Sequence, residues 1–150
     1  MQLRRDNKGI TLIELLVVLG ITVLLSTITI PYLKKYQPNL KLTATARDLT
    51  TDLRYAQQLT VTEQKVHLVD FDSANDKYEI LKIDVATTTI KTVILDSEIS
   101  IKQITDLTDD RVIFNFYGGV SQSGQIILTN TNNTDAVINI KPSGYIQLGQ

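Results

Sequence analysis

The chain has 150 residues, 43% of them hydrophobic and 21% charged, with a formal net charge of −1. This size suits a single core plus an appendage, and the composition excludes both wholesale disorder and a polytopic membrane protein. The small net charge excludes a general attraction to nucleic acid, and the absence of cysteine excludes a disulfide framework or a thiolate metal site.

Residues 1–9, MQLRRDNKG, form a short leader with three basic side chains, Arg4, Arg5 and Lys8, and one acidic, Asp6. An apolar run follows at once. Ile10 to Ile30 reads ITLIELLVVLGITVLLSTITI, and its only ionisable side chain is Glu14. As a helix this stretch is about 30 Å long, the hydrocarbon thickness of a bilayer. Its fourteen Leu, Ile and Val residues, at roughly −0.3 to −0.6 kcal/mol each, outweigh one acid at about +3 kcal/mol. A transmembrane helix over 10–31 is therefore predicted. A secretory signal would have a shorter apolar core followed by a small-residue cleavage site; a plain signal anchor is the alternative that hydropathy leaves open.

The string KGITLIELLVVLGI resembles the processing signal of type IV prepilins and pseudopilins. The resemblance implies cleavage by a prepilin peptidase between Gly9 and Ile10, then N-methylation of Ile10, although phenylalanine is commoner at that position in the family. Glu14 becomes the fifth mature residue and Pro31 the twenty-second, where the family commonly has proline. The physical logic agrees. Glycine offers a protease no side-chain obstruction and extends a helix poorly, and cleavage frees an amine one helical turn, roughly 6 Å, from the Glu14 carboxylate. An acid in lipid is a functional residue by default, and its natural partner is the amine of an adjacent subunit, which would set assembly register. The bland alternative places Glu14 among the cytoplasmic headgroups. Lysines 34, 35 and 41 after the span nearly balance the leader, so the positive-inside rule barely orients the chain; the resemblance puts the leader in the cytoplasm.

After the span, Tyr32, Lys34, Lys35 and Tyr36 suit a membrane boundary. Pro31 lacks a backbone donor and predicts a helix kink, and Pro38 punctuates the chain a second time. Leu42, Ala46, Leu49, Leu53, Ala56 and Thr60 recur at 4,3,4,3,4 spacing, which predicts a soluble helical segment, within 32–64, packed on a sheet. Arg47, Thr51, Arg54 and Gln58 lie off that stripe. Residues 65–150 read as seven or eight short, mostly antiparallel strands. Alternation at Ile99 and Ile101, at Val112 to Tyr117, at Ile138 and Ile140, and at Ile146 and Leu148 marks several of them. Gly118-Gly119, Ser123-Gly124, Asn132-Asn133 and Ser143-Gly144 supply turns.

The segments ARDLTTDLRYAQQLTV, VIFNFYGGVSQSGQIILTN and INIKPSGYIQLG are similar to the H-type minor pseudopilins and related minor pilins. The resemblance implies an α+β pilin-like fold, a long N-terminal helix on an antiparallel β-sheet domain, with residues 71–110 as its variable part.

Other constellations carry less. Asp70, Asp72, Asn75 and Asp76 gather oxygens, but Ala74 stands where a calcium loop wants a ligand and no turn glycine follows, so a solvated hairpin turn is expected. His67, the only histidine, lies in a predicted strand without a nucleophile or metal motif beside it. No catalytic residue, metal or cofactor is expected. Losing residues 1–9 leaves 12 basic against 15 acidic side chains, which argues against DNA as a partner.

The resemblance implies a structural subunit of a type II secretion pseudopilus or a related type IV pilus, anchored once in the bacterial inner membrane with its β-domain outside the cytoplasm. Its partners would be other pilins or pseudopilins, the inner-membrane assembly platform and the prepilin peptidase. Alternatives are a minor pilin of a competence or adhesion pilus that binds DNA or another surface ligand, and a solitary anchored β-domain.

Overall fold

The computed structural model describes residues 9–149, so Arg4, Arg5, Asp6 and Lys8 of the leader lie outside the described part. It contains two compact units, Met1–Tyr36 and Gln37–Gln150. One helix, α1 (Leu12–Glu63), begins in the first and ends in the second.

Within the first unit α1 is apolar and wholly exposed, and by length and composition it is able to cross a membrane. Its hydroxyls are hidden locally. Thr22, Ser26, Thr27 and Thr29 each donate to the carbonyl four residues earlier at 2.8–2.9 Å. This bonding consumes the polar hydrogens that hydrocarbon could not satisfy.

Within the second unit the predicted stripe is the buried face of α1. Leu42, Ala46, Leu49, Leu53, Ala56 and Thr60 are all 3% exposed or less, while Arg47, Thr51, Arg54 and Gln58 are exposed. Alternating leucine with alanine and threonine lets the helix backbone come close to its neighbours while the leucines fill the remaining space.

Eight strands follow: β1 (Val66–Asp72), β2 (Lys77–Ile83), β3 (Thr87–Ile94), β4 (Ile99–Thr105), β5 (Arg111–Ile113), β6 (Gly124–Asn130), β7 (Asp135–Ile140) and β8 (Ile146–Gly149). They form two four-stranded antiparallel sheets, ordered β3-β2-β1-β5 and β4-β6-β7-β8. Both sheets and the helix stripe feed one core, in which Phe71, Tyr78, Ile80, Ile126, Leu128 and Ile138 meet the helix leucines. The fold is the expected α+β arrangement.

Two local expectations are corrected. The alternation from Val112 to Tyr117 does not make a strand of that length. Strand β5 ends at Ile113, Phe114 keeps only an isolated bridge to Val120, and the chain turns over Asn115–Gly119. The cause is Asn115, whose Oδ1 accepts the N–H groups of Tyr117 and Gly119, both at 3.0 Å. Its side chain thereby replaces a strand partner. The helix is also not interrupted at Pro38, because its range runs through both Pro31 and Pro38. A proline removes one N–H bond from a ladder of many.

Candidate functional site

The site expected from sequence is the start of α1. Gly9, Ile10 and Thr11 are not helical, and the helix begins at Leu12. Thr11 fixes that boundary: its carbonyl accepts the Leu15 N–H at 3.2 Å and its Oγ1 accepts the Glu14 N–H at 3.3 Å. These are the two bonds of an N-cap residue, with Glu14 at the third helical position, the spacing of a capping box. The Gly9–Ile10 peptide thus lies just outside the helix. A side chain at Gly9 would meet nothing within 4 Å, and Ile10 is 76% exposed. Ile10, Glu14, Leu15 and Val18 line a shallow recess of about 180 Å³ on the helix surface. Pro31 lies within the helical range, beside a second recess shared with Ile28, Tyr32 and Lys35.

In the second unit, several polar side chains hold strands and turns to α1. Asp52, almost buried, accepts the Tyr78 hydroxyl at 2.7 Å and the Lys91 ammonium at 2.7 Å on each oxygen, joining α1 to β2 and β3. Burial, and then the Asp52 carboxylate, raises the Tyr78 phenol above its ordinary pKa. The Gln57 amide donates to the carbonyls of Gly118 (2.5 Å) and Gly144 (3.0 Å), pinning two distant turns to the helix. Asn130 caps the turn after β6 by accepting the N–H groups of Asn132 and Thr134, and it donates to Asn39 of α1 at 2.7 Å.

The acidic residues after β1 have separate structural uses. Asp72 accepts Asn75 across the β1–β2 turn, Asp70 holds Arg111 at 2.9 Å, and Asp76 accepts the Ile101 N–H at 2.9 Å. They form the expected hairpin turn and face different neighbours. His67 is fully buried in β1; its Nδ1 lies 3.0 Å from the Lys65 carbonyl and its Nε2 lies 3.8 Å from Glu63.

Sequence reasoning missed Asp52, Gln57, Tyr78 and Lys91. Gln57 carries no signal of its own. Asp52 carried one, because an acid at 52 sits beside the buried Leu53 and Leu49 positions and had to find a partner if drawn inward.

Residues 4–30 match the family described as the prokaryotic N-terminal methylation motif. The fold is similar to the minor pseudopilin EpsH from the type 2 secretion system of Vibrio cholerae, with a TM-score of 0.63 at 8% identity, covering 73% of this chain and 96% of that one. It is also similar to the type IV minor pilin FimU of Pseudomonas aeruginosa, with a TM-score of 0.60 at 13% identity, covering 77% of this chain and 92% of that one. No curated protein sequence matches the chain.

Proposed function

We propose that this chain, type IV pilin-like in its fold and its N-terminal methylation motif, is a minor pseudopilin: a non-enzymatic, structural subunit of a type II secretion pseudopilus or a related type IV pilus. A prepilin peptidase cuts between Gly9 and Ile10, the new Ile10 amine is methylated, and the subunit is anchored once in the inner membrane with residues 37–150 outside the cytoplasm. Assembly proceeds through the anchor helix, with other pilin-like subunits and the membrane platform as partners.

The observation that carries this reading is that the part of α1 in the first unit is apolar and wholly exposed, with a single carboxylate one turn from an accessible Gly-Ile bond. A solitary anchor has no use for that acid, since lipid penalises it by about 3 kcal/mol. A neighbour's α-ammonium offsets the penalty only when it reaches the same depth, and so Glu14 couples membrane insertion to register. Pro31 removes one ladder bond and lets α1 adjust to the packing of its neighbours.

The test is mass spectrometry of the mature protein from cells that process prepilins, combined with Glu14→Ala. The expected N-terminus is Ile10 bearing one methyl group. Glu14→Ala is expected to be cleaved normally and to be depleted at least 10-fold from sheared filaments, about 1.4 kcal/mol of assembly free energy. Recovery of intact residues 1–9 rejects processing, and normal incorporation of the variant rejects the register role.

A further inference from the structure

The outward face of the second sheet carries a row of amides that the fold does not use. Register places Gln125 opposite Asn139, and Asn139 opposite Gln147, so three amide side chains stand side by side on one face, spaced about 4.8 Å apart. They line a recess of about 330 Å³, together with Asp106, Ser123 and Lys141. Among the described residues, the side chains of Asp106, Ser123, Gln125, Asn139 and Gln147 make no hydrogen bond to a protein group, and Lys141 lies over the Tyr145 ring, 5.5 Å from its centre.

This arrangement runs against local preference. Asparagine is depleted from strands, and yet Asn139 occupies β7, an interior strand, with its amide open to solvent. The neighbouring strand gives it room: a Cβ on Gly149 would come within 3.3 Å of the Asn139 amide nitrogen. A residue that breaks its local rule without a structural gain marks a site used for something else.

We propose that this recess binds a neutral saccharide. Each amide offers a donor and an acceptor side by side, which matches neighbouring sugar hydroxyls, each a donor and an acceptor. Asp106 adds an acceptor and Lys141 a donor, and their opposite charges cancel, so the recess selects against neither sign and favours a ligand with none. The volume stands at the lower end of small-molecule sites, about 300–1,000 Å³, and suits one or two sugar rings. The inference does not depend on the assembly role.

The experiment uses the full chain, isotope-labelled, in a detergent without a sugar headgroup, titrated with cellobiose and with N,N′-diacetylchitobiose while side-chain amide resonances are followed by NMR. Saturable shifts of the Gln125, Asn139 and Gln147 amides are expected with at least one disaccharide, at a Kd of about 1–10 mM. Asn139→Thr restores a strand-favouring residue, so the variant stays folded, and it should weaken binding about 10-fold. The proposal is overturned if neither disaccharide saturates below about 50 mM, if inorganic phosphate shifts the same amides equally, or if folded Asn139→Thr binds as the parent does.

Discussion

Adding one methyl group at Gly144 should do more damage than adding one at Gly118, although both glycines have left-handed backbones, with φ of +79° and +82°. A left-handed non-glycine residue costs about 1 kcal/mol or slightly more, and that part is common to both. Space separates them. At Gly118 the new Cβ finds its nearest atoms, on the Gln57 and Val61 side chains, at 3.4 Å, an ordinary contact. At Gly144 it would lie 1.9 Å from the Gly118 carbonyl oxygen and 2.4 Å from the Gln57 amide nitrogen. Relief requires the two turns to separate, which breaks at least one Gln57 bond and leaves a partly buried carbonyl unpaired, at about 1–3 kcal/mol. Gly144→Ala is thus expected to cost about 2–4 kcal/mol and Gly118→Ala about 1 kcal/mol. For a unit of this size the former lowers Tm by roughly 8–16 °C. Thermal unfolding of the full chain in detergent, followed by tyrosine fluorescence, measures both. Equal losses for the two variants would refute the reasoning, because backbone strain alone would then account for them.

Asp52→Ala should destabilise by about 3 kcal/mol, since it strands the buried Tyr78 hydroxyl and releases Lys91; chemical denaturation checks this, and additional loss of Tyr78→Phe in the same background should then be near zero. Leu53→Ala, at a fully buried position of the stripe, should cost about 2–5 kcal/mol by opening a cavity, whereas Arg47→Ala on the exposed face should stay within about 0.5 kcal/mol in the same denaturation series. Hydrogen bonds hold several carboxylates below their ordinary pKa, among them Glu63 by Lys82, Asp96 by the Glu98 N–H and then Lys41, and Asp135 by Lys102. Because the folded values lie below the unfolded ones, their contribution is present above about pH 4 and is lost as pH falls through the folded values. The urea midpoint should therefore drop between about pH 5 and pH 3, and Lys102→Ala should flatten part of that slope.

The legible parts of this protein are those in which neighbouring residues act together. The apolar run with its single acid, and the 4,3,4,3,4 stripe from Leu42 to Thr60, follow from a helix bringing every third or fourth side chain to one face. A bilayer or a core must then cover that face. Turn residues such as Gly118 and Gly144 were readable for the same reason, since backbone conformation is a local choice.

What the linear pattern could not carry was pairing over distance. Whether alternation at Val112 to Tyr117 continues as a strand depends on Asn115 competing for the backbone with its own side chain, and the competition was decided by a turn that must reach Gln57, about sixty residues earlier in the chain. Asp52 finding Tyr78 and Lys91, and three amides aligning across β6, β7 and β8, likewise depend on strand register. The sequence by itself determined the apolar span and the buried helix face, because these rest on periodicity and composition within one segment. Only the tertiary structure decided which polar groups are consumed and which are left over, because a hydrogen bond needs both partners within about 3 Å and no local pattern fixes that distance.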